Sequence, residues 1–543
     1  MVAELTLAAI GTADLAIKYG KMLIEIYSSY HNASTEIKER LIILDSNWLR
    51  TEKQLDFLER IWDRLDKDHQ AIQIQVLRLL VNSLEASINQ IQNLEKKRKE
   101  KGNDLGFGAI VREPGYKKWK YAMIKKSLDA NIKSLEKWQQ TFDPTWYLIL
   151  RISDSLIDTE LANATPSSSS TSTAVAPIAT AKTIRDSFRV EPEVHTSIFL
   201  PSSGVSSSTR TSIPFTTASL LQRGPKNKVY VLDSVPSFPG LDSSVQNRDV
   251  RDLARKLTDT DPLRFGLLRC RGVVKVTNAD NEIESYNFIF HIPPSLRSPK
   301  SLRDVLIQAK PNLSLSSRFH IAQQLSQSLS YVHTYGFVHK GIRPETILIF
   351  QDDEFELAAS FLLGFEKFRP AQGLTLRAND CVWQKDLYRH PRRQGLRPED
   401  EYIMQHDIYS LGVCLLEIGL WKTLVVYGPS QSGHEAEIQS QDNHDMPVPS
   451  PLLTTLSNAE NNETPKATLI KETLVELALT ELPARMGDKY TDIVVSCLTC
   501  LDESNPDFSD ESEFKDVDDV VIGVRYIEKV SMKAIYVTFF ELV

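Results

Sequence analysis

The sequence lacks an excess of basic charge and a cysteine framework. Its 543 residues include 63 Lys and Arg against 71 Asp and Glu, a net charge of −8, which argues against a nucleic-acid partner. Five cysteines in a chain of this length do not make a disulfide framework and fit a reducing compartment. We therefore expect a cytoplasmic protein.

The sequence also lacks an uncharged apolar run long enough to span a bilayer. Near its start, Glu4, Asp14 and Lys18 interrupt the apolar residues, which argues against a secretory signal. Any contact with a membrane is therefore expected either to be peripheral or to follow rearrangement and oligomerisation.

Two cysteines, Cys497 and Cys500, form a lone Cys-x-x-Cys. A zinc site needs a second ligand pair, and a redox motif of this type needs a thioredoxin-like βαβ context; neither pattern accompanies these cysteines. The surrounding residues have the spacing of an amphipathic helix. We predict buried helix cysteines and no metal site.

Composition and length together predict a multidomain protein. Apolar residues make up 41% and charged residues 25% of the chain, which is ordinary for globular domains, and 543 residues exceed one domain. The pattern predicts an all-α helical bundle over 1–160, a disordered Ser/Thr/Pro linker over 161–225 and an α+β domain over 226–530. A second disordered insertion is predicted within that domain, over 428–465.

The first predicted helix has an unusually wide apolar face. Charged residues and a glycine fall on one narrow stripe, and apolar residues occupy most of the remaining circumference. Such a helix is either buried in a bundle or placed against lipid or another copy. The residues predicted for this possible membrane or oligomer face are Leu5, Ile10, Leu15, Ile17, Leu23 and Ile24.

Three further long helices are predicted in the first region, with the last one broken at Asp143-Pro144. Long helices joined by short loops favour an antiparallel bundle.

The third region begins with strands, continues into helices, and contains four ordered motifs. The first is the segment from His339 to Thr346, HKGIRPET, followed by the apolar run Ile347-Leu-Ile-Phe350. The second is Gly364-Phe365-Glu366, and the remaining two contain Pro391 and the pair Asp407 and Gly412.

These motifs, in this order, resemble those of protein kinases, which carry His-Arg-Asp-x-Lys-Pro-x-Asn, Asp-Phe-Gly, Ala-Pro-Glu and Asp-x-Trp-Ser-x-Gly. The resemblance implies a two-lobe kinase-like fold, with a small lobe over about 226–294 and a large lobe over about 295–530. It also implies that His339, Pro344, Pro391, Asp407 and Gly412 are retained for structure: Asp407 would accept main-chain hydrogen bonds, and His339 would be a buried loop anchor.

The positions that carry kinase chemistry are substituted. Aligned on the motifs, Gly341 stands at the acceptor-orienting Asp, Thr346 at the magnesium-binding Asn and Gly364 at the Asp of Asp-Phe-Gly. Arg343 replaces the loop lysine, and the strand segment Val231-Leu-Asp-Ser234 has no lysine where a kinase would have one. No catalytic residue and no cofactor is therefore predicted.

Two alternatives stay open at this point. Glu366 and Asp233 could supply an unorthodox metal ligand, and a nucleotide could bind without the usual magnesium ligands. An active or weakly active kinase that binds ATP and carries a helical interaction domain is the competing prediction.

The wide apolar face and the helical pattern of 1–160 resemble fungal HeLo and HeLo-like domains of the prion-inhibition-and-propagation type. The domain order is also similar to that of mixed-lineage kinase domain-like proteins, in which a helical bundle is followed by a tether and a degenerate kinase domain. The resemblance implies self-association of the bundle and membrane engagement in a fungal cell-death or incompatibility response, restrained by an inactive kinase-like domain. A pure scaffold without a membrane role is the third possibility.

Overall fold

The computed structural model of the chain falls into two units, Met1–Glu191 and Pro192–Val543. The structure describes residues 2–28, 35–65, 67–104, 114–150, 152, 154–164, 176–189, 198–202, 205, 208–223, 228–237, 243–280, 282–308, 313–352, 357–365, 369–370, 382–395, 401–428, 446–453, 466–505 and 507.

The first unit is helical. Its helices are α1 (Val2–Ser28), α2 (Thr35–Ile61), α3 (Lys67–Asp104), α4 (Pro114–Tyr147), α5 (Ser155–Ala164) and α6 (Ala176–Arg189). α1 packs against α2 and α3, and α4 packs against the same two helices, so the four long helices share one core. α5 and α6 pack against each other and against α2.

Helix α1 buries a narrow stripe of mostly small residues at three- and four-residue spacing, which lets it approach its neighbours closely. The stripe contains Ala13, Ala16, Gly20, Leu23 and Tyr27. A methyl group on Gly20 would lie 2.0 Å from ring atoms of Trp48 in α2, so this glycine is required for the contact.

The predicted apolar face of α1 is therefore divided. Leu23 is buried, Ile17 and Ile24 are half-buried, and Leu15 is 36% exposed. Leu5 and Ile10 belong to the helix, but their side chains lie outside the described residues.

The prediction of a helix break at Asp143-Pro144 is wrong, because α4 continues through both residues to Tyr147. Both oxygens of the buried Asp143 carboxylate accept a hydrogen bond from Arg50 Nη2, at 2.6 Å each, and Oδ1 also accepts one from Gln54 Nε2 at 3.3 Å. The aromatic side chains on either side, Trp138 and Trp146, are fully buried. Tertiary packing thus outweighs the lost hydrogen bond at proline.

The second unit contains a six-stranded sheet with the order β1-β5-β6-β4-β3-β2. Its strands are β1 (Phe199–Leu200), β2 (Thr209–Ser212), β3 (Ser219–Arg223), β4 (Lys228–Pro236), β5 (Cys270–Thr277) and β6 (Ile283–His291). Only the pairing of β1 with β5 is parallel; the others are antiparallel. The helix α7 (Ser243–Thr258) packs on β5 and β6.

This sheet corrects the predicted linker over 161–225 and the lobe boundary at 226. Helix α6 and strands β1, β2 and β3 all lie within that segment. Its Ser/Thr-rich composition suggested a chain that cannot bury apolar area, yet Ile213, Ala218 and Leu221 are buried. Pairing with β4 supplies the main-chain hydrogen bonds that the composition does not reveal.

The remainder of the second unit is mainly helical. Its elements are α8 (Pro262–Phe265), β7 (Arg297–Ser301), α9 (Leu302–Gln308), α10 (Leu315–Thr334), β8 (Phe337–Val338), β9 (Ile347–Gln351), β10 (Leu357–Leu362), β11 (Arg369–Pro370), α11 (Trp383–Asp386), α12 (Met404–Leu420), β12 (Val425–Gly428), β13 (Met446–Pro449), α13 (Lys466–Glu481), α14 (Pro483–Met486) and α15 (Asp488–Leu498). Every residue of α12 is buried, and α10, α13 and α15 pack around it.

The predicted insertion over 428–465 also needs correction, because β13 lies inside it and pairs with β12, which ends at Gly428. Residues 429–445 and 454–465 lie outside the described residues, as does the apolar tail after Asp507.

The two cysteines of the Cys-x-x-Cys are both buried, at the end of α15 and just beyond it. The Cβ of Cys497 would lie 2.7 Å from a Cβ added to Gly412, so α12 and α15 are in contact at this point. Within the described parts of the chain, no helix has the length and apolarity to cross a membrane.

Candidate functional site

The segment from His339 to Thr346 is held in place by Asp407 at the start of α12. The Asp407 carboxylate accepts hydrogen bonds from the main-chain N–H groups of His339 and Lys340, at 2.8 and 2.9 Å. It also accepts the Tyr402 hydroxyl at 2.6 Å and contacts His333 Nε2 at 3.1 Å. The two hydrogen bonds from His339 and Lys340 are main-chain bonds of the kind that the sequence predicts for Asp407.

The Asp407 carboxylate stays ionised in a fully buried position. Burial alone would raise its pKa, but the hydrogen bond and charge of His333, with smaller contributions from His339 and Tyr402, lower the pKa below its ordinary value. Four donors bind this one buried carboxylate, so the main chain at His339 and Lys340 is held rigidly against Tyr402 and His333.

His339 connects this segment to the residues after β10. Its Nε2 lies 2.8 Å from the main-chain oxygen of Leu363, and its ring packs on Phe365 with centroids 4.9 Å apart. Both side chains are buried. His339 therefore joins this loop to the segment that follows β10.

Thr346 closes the turn that Pro344 begins. The Thr346 hydroxyl lies 2.9 Å from the main-chain oxygens of Gly341 and Arg343, and the Arg343 N–H donates to it at 3.1 Å. The hydroxyl is thus occupied by the chain itself. A single neutral oxygen with these partners is a poor ligand for a divalent cation.

Gly364 packs directly on Thr346. Its φ is +76°, a conformation that favours glycine, and an added Cβ would lie 2.3 Å from Thr346 Cγ2 and 2.7 Å from Thr346 Cβ. The Leu363 N–H also donates to the main-chain oxygen of Thr346, at 2.8 Å. The methyl group of Thr346 therefore occupies the volume that a side chain at 364 would need.

Asp233 of strand β4 completes this arrangement. Its Oδ2 accepts the main-chain N–H of Gly364 at 2.9 Å, and its Oδ1 accepts the Thr217 hydroxyl at 3.3 Å. Asp233 is 1% exposed. Thr217 lies in the loop between β2 and β3, so one carboxylate joins that loop, the central strand and the segment after β10.

Of the two residues considered as an unorthodox metal pair, Glu366 lies outside the described residues. The Asp233 carboxylate already accepts hydrogen bonds from the Gly364 N–H and the Thr217 hydroxyl. Among the described residues, no three His, Cys, Asp or Glu side chains cluster in a way that could hold a metal ion.

Sequence reasoning missed a second buried cluster, centred on Arg303 at the start of α9. The guanidinium contacts Glu345 at 2.8 Å, Glu417 at 2.9 Å and the Tyr388 hydroxyl at 2.6 Å. Burial would lower the pKa of Arg303, but Tyr388 and the two carboxylates outweigh it and raise the pKa. Glu417, a charged residue within the apolar run of α12, was the available signal.

The remaining predicted residues have structural positions. Pro391 begins a short 3-10 turn, and Pro344 begins another. Gly412 allows α12 to contact α15.

Comparison with known proteins gives distant protein kinases. The chain is 26% identical over 185 residues to the mouse eukaryotic translation initiation factor 2-alpha kinase 1. The alignment covers 31% of this chain and 28% of that protein. It is 26% identical over 144 residues to the serine/threonine-protein kinase Kist of mouse and of human, covering 24% of this chain and 33% of Kist. No protein-family model matches the chain.

The chain therefore spans about a third or less of the length of the curated relatives it matches. Together with the helical unit and the sheet-containing unit, these similarities support a protein with a kinase-like domain.

Proposed function

We propose that this chain is a catalytically inactive, kinase-like regulatory protein whose output lies in its N-terminal helical unit. One observation carries the first half of the proposal: the contact of Gly364 with Thr346 and Asp233. Gly364 packs on Thr346 and donates its main-chain N–H to Asp233, and in the motif alignment Gly364 and Thr346 stand where a kinase has two metal ligands.

The carboxylate of Asp233 beside Gly364 supports the same conclusion. In a kinase, the strand lysine is attracted to the nucleotide phosphates, whereas the Asp233 carboxylate would repel them. Gly341 has no side chain to orient an acceptor hydroxyl. Loss of these groups together removes the positioning and the charge neutralisation on which phosphoryl transfer depends.

The proposal predicts no magnesium-dependent ATP binding. Purified full-length protein is titrated with ATP, with and without Mg²⁺, while its melting temperature and the transfer of labelled phosphate are recorded. We expect neither a thermal shift nor transfer. Magnesium-dependent transfer that Asp233→Ala abolishes would overturn the proposal and favour the weakly active kinase.

For the N-terminal unit we propose self-association and peripheral membrane engagement, as in a fungal cell-death or incompatibility response. The support is the resemblance of the helical pattern to HeLo-like domains and the partial exposure of α1, where Leu15 is 36% exposed and Ile17 and Ile24 are half-buried. In this proposal the kinase-like domain restrains the helical unit in the cytoplasm until a signal releases it.

A matched pair of leucines tests the membrane role. Leu15 in α1 and Leu49 in α2 are similarly exposed, at 36% and 41%. We expect the full-length protein to release dye from anionic vesicles once activated by mild acid or heat, Leu15→Glu to abolish release, and Leu49→Glu to retain it. If both variants lose dye release, or if both release dye as the wild type does, the membrane face is not specific to α1.

A further inference from the structure

One end of the six-stranded sheet carries a group of exposed basic side chains. They come from the first residue of β4, from the two residues that flank the first residue of β5, and from the last residue of β6. β6 pairs with both β4 and β5, so these positions meet at the same end of three neighbouring strands. The four residues, called the basic cluster below, are Lys228, Arg269, Arg271 and His291.

The ring of Tyr230 in β4 orders two members of the basic cluster. The Arg271 guanidinium lies over this ring, 5.0 Å from its centroid, and the His291 ring meets it edge-on, with centroids 5.4 Å apart. Tyr230 is itself buried in the apolar cluster of the sheet. A guanidinium stacked on a fixed ring has less conformational freedom to lose when it binds an anion. The basic cluster is therefore partly preorganised.

The positive charges of the basic cluster act on one another. Burial of part of the ring lowers the pKa of His291, and the charges of the three other members lower that pKa further. Several cations are thus held at short range, and an external anion would relieve their mutual repulsion.

The described carboxylates do not neutralise the basic cluster. Burial raises the pKa of Asp259, and the charge of Arg269 partly opposes this effect, so these two groups lie close enough to interact. Among the described residues, neither Lys228 nor Arg271 pairs with a carboxylate. The acidic residues of the turn between β5 and β6 lie at the opposite end of these strands. The cluster therefore keeps a net positive charge.

A further cation extends this positive charge across the sheet. Arg210, in the edge strand β2, stands in one cross-strand row with Tyr230 and His291. Residues directly opposite one another in antiparallel strands have side chains on the same face. Arg210 is exposed, and its Nε donates a hydrogen bond to the Ser219 hydroxyl at 2.7 Å. Basic side chains therefore lie on this face from β2 to β6.

We propose that this face of the sheet binds the surface of an anionic lipid bilayer. Exposed cations spread over several strands suit an extended negative surface, whereas a single small ligand is usually held in a concave site. The whole chain has a net charge of −8, so the attraction depends on the basic cluster and not on overall charge. Because Arg271 covers the ring of Tyr230, that ring is not available to stack on a nucleic-acid base.

This inference goes beyond the proposed function, because it assigns a membrane contact to the second unit. The contact does not need the apolar face of α1, and a protein held at a bilayer surface by charge need not release the contents of a vesicle. The two proposals can therefore fail separately. Leu15→Glu, which should abolish dye release, should leave binding to vesicles intact.

Vesicle sedimentation with full-length protein tests the proposal. The vesicles contain phosphatidylcholine alone or phosphatidylcholine with phosphatidylserine, and binding is measured at low and at physiological salt. We expect binding only to the vesicles that contain phosphatidylserine. This binding should weaken as salt is added, because salt screens the attraction between the basic cluster and the lipid headgroups.

A matched pair of charge reversals tests the location. Lys228→Glu and Lys422→Glu change the net charge equally, and both lysines are exposed, but Lys422 follows α12 and lies outside the basic cluster. We expect Lys228→Glu to weaken vesicle binding about fivefold or more, since each basic residue near an anionic surface contributes a factor of about five, and Lys422→Glu to bind as the wild type does. Arg271→Gln should weaken binding about fivefold, and its melting temperature is recorded because the change uncovers Tyr230.

Several results would overturn the proposal. They are binding to neither kind of vesicle, equal binding to both kinds, and equal weakening by Lys228→Glu and Lys422→Glu. Loss of vesicle binding in Leu15→Glu would assign the contact to α1 instead. Binding of a phosphoserine peptide without binding to anionic vesicles would assign the basic cluster to a protein partner, and would also overturn the proposal.

Discussion

The carboxylate of Asp233 accepts the main-chain N–H of Gly364 at 2.9 Å, across 131 residues of sequence. Both groups are buried, so the bond links the central strand β4 to the segment that follows β10. This hydrogen bond therefore holds the main chain at Gly364 to the six-stranded sheet.

Removing this acceptor should loosen the segment after β10. We expect Asp233→Ala to reduce the free energy of unfolding by about 1–3 kcal/mol, because it leaves the buried Gly364 N–H without its partner. Asp233→Asn keeps an acceptor oxygen and should cost less. Chemical denaturation measures the stability, and hydrogen exchange of the Gly364 amide locates the effect; equal exchange in both variants would argue that the bond is unimportant.

The contact between Gly364 and Thr346 predicts strong coupling. Gly364→Ala adds a Cβ against Thr346 and strains a residue at φ +76°, so a loss of about 1–3 kcal/mol is expected. Thr346→Ser removes Cγ2, the nearest atom, but keeps the hydroxyl that closes the turn. The double variant should therefore recover part of the loss.

A double-mutant cycle measured by thermal or chemical denaturation quantifies this coupling. An interaction energy of about 1 kcal/mol favouring the double variant is expected for side chains in contact. Strict additivity would mean that the two positions do not compete for the same volume.

Gly272 in β5 controls the docking of the short strand β1. A Cβ at this position would lie 2.8 Å from both the main-chain oxygen of Ile198 and the Cγ of Leu200. We expect Gly272→Val to displace β1, to break the bond from the Val273 N–H to Ile198, and to expose the apolar cluster that Leu200 partly covers.

Proteolysis within 198–205 and hydrogen exchange at Val273 should both accelerate in Gly272→Val. Gly11→Val, in α1, is the matched control, because a Cβ there meets no atom within 4 Å. If Val273 remains protected in Gly272→Val, β1 does not depend on this glycine.

The sequence predicted the kinase-like motifs and most helices because both are local patterns. It could not predict β2 and β3, since all four residues of β2 are exposed and its stability comes from pairing with β3. The same dependence on pairing and packing limits what the sequence predicts about the candidate site. The substitutions at Gly341, Thr346 and Gly364 are visible in sequence, but the contact of Gly364 with Asp233 depends on the tertiary fold.

Two buried histidines predict a loss of stability in mild acid. Burial, with Lys471 and Arg392 nearby, lowers the pKa of His390 to about 3, and burial also lowers the pKa of His406, which contacts His390 with ring centroids 5.4 Å apart. Because both pKa values are lowered, both rings take up protons less readily in the folded protein than in the unfolded chain, which is protonated below about 6.5. Acid therefore favours unfolding.

Well below pH 6.5, each of these histidines should reduce the free energy of unfolding by about 1.4 kcal/mol for each pH unit. Denaturation between pH 7.5 and 5.5 measures the slope while most carboxylates remain ionised. His390→Asn can retain the acceptor for the Arg392 N–H and should reduce the slope by about half, whereas the half-buried His320→Asn should leave most of it. An unchanged slope in His390→Asn would show that His390 is protonated in the folded protein.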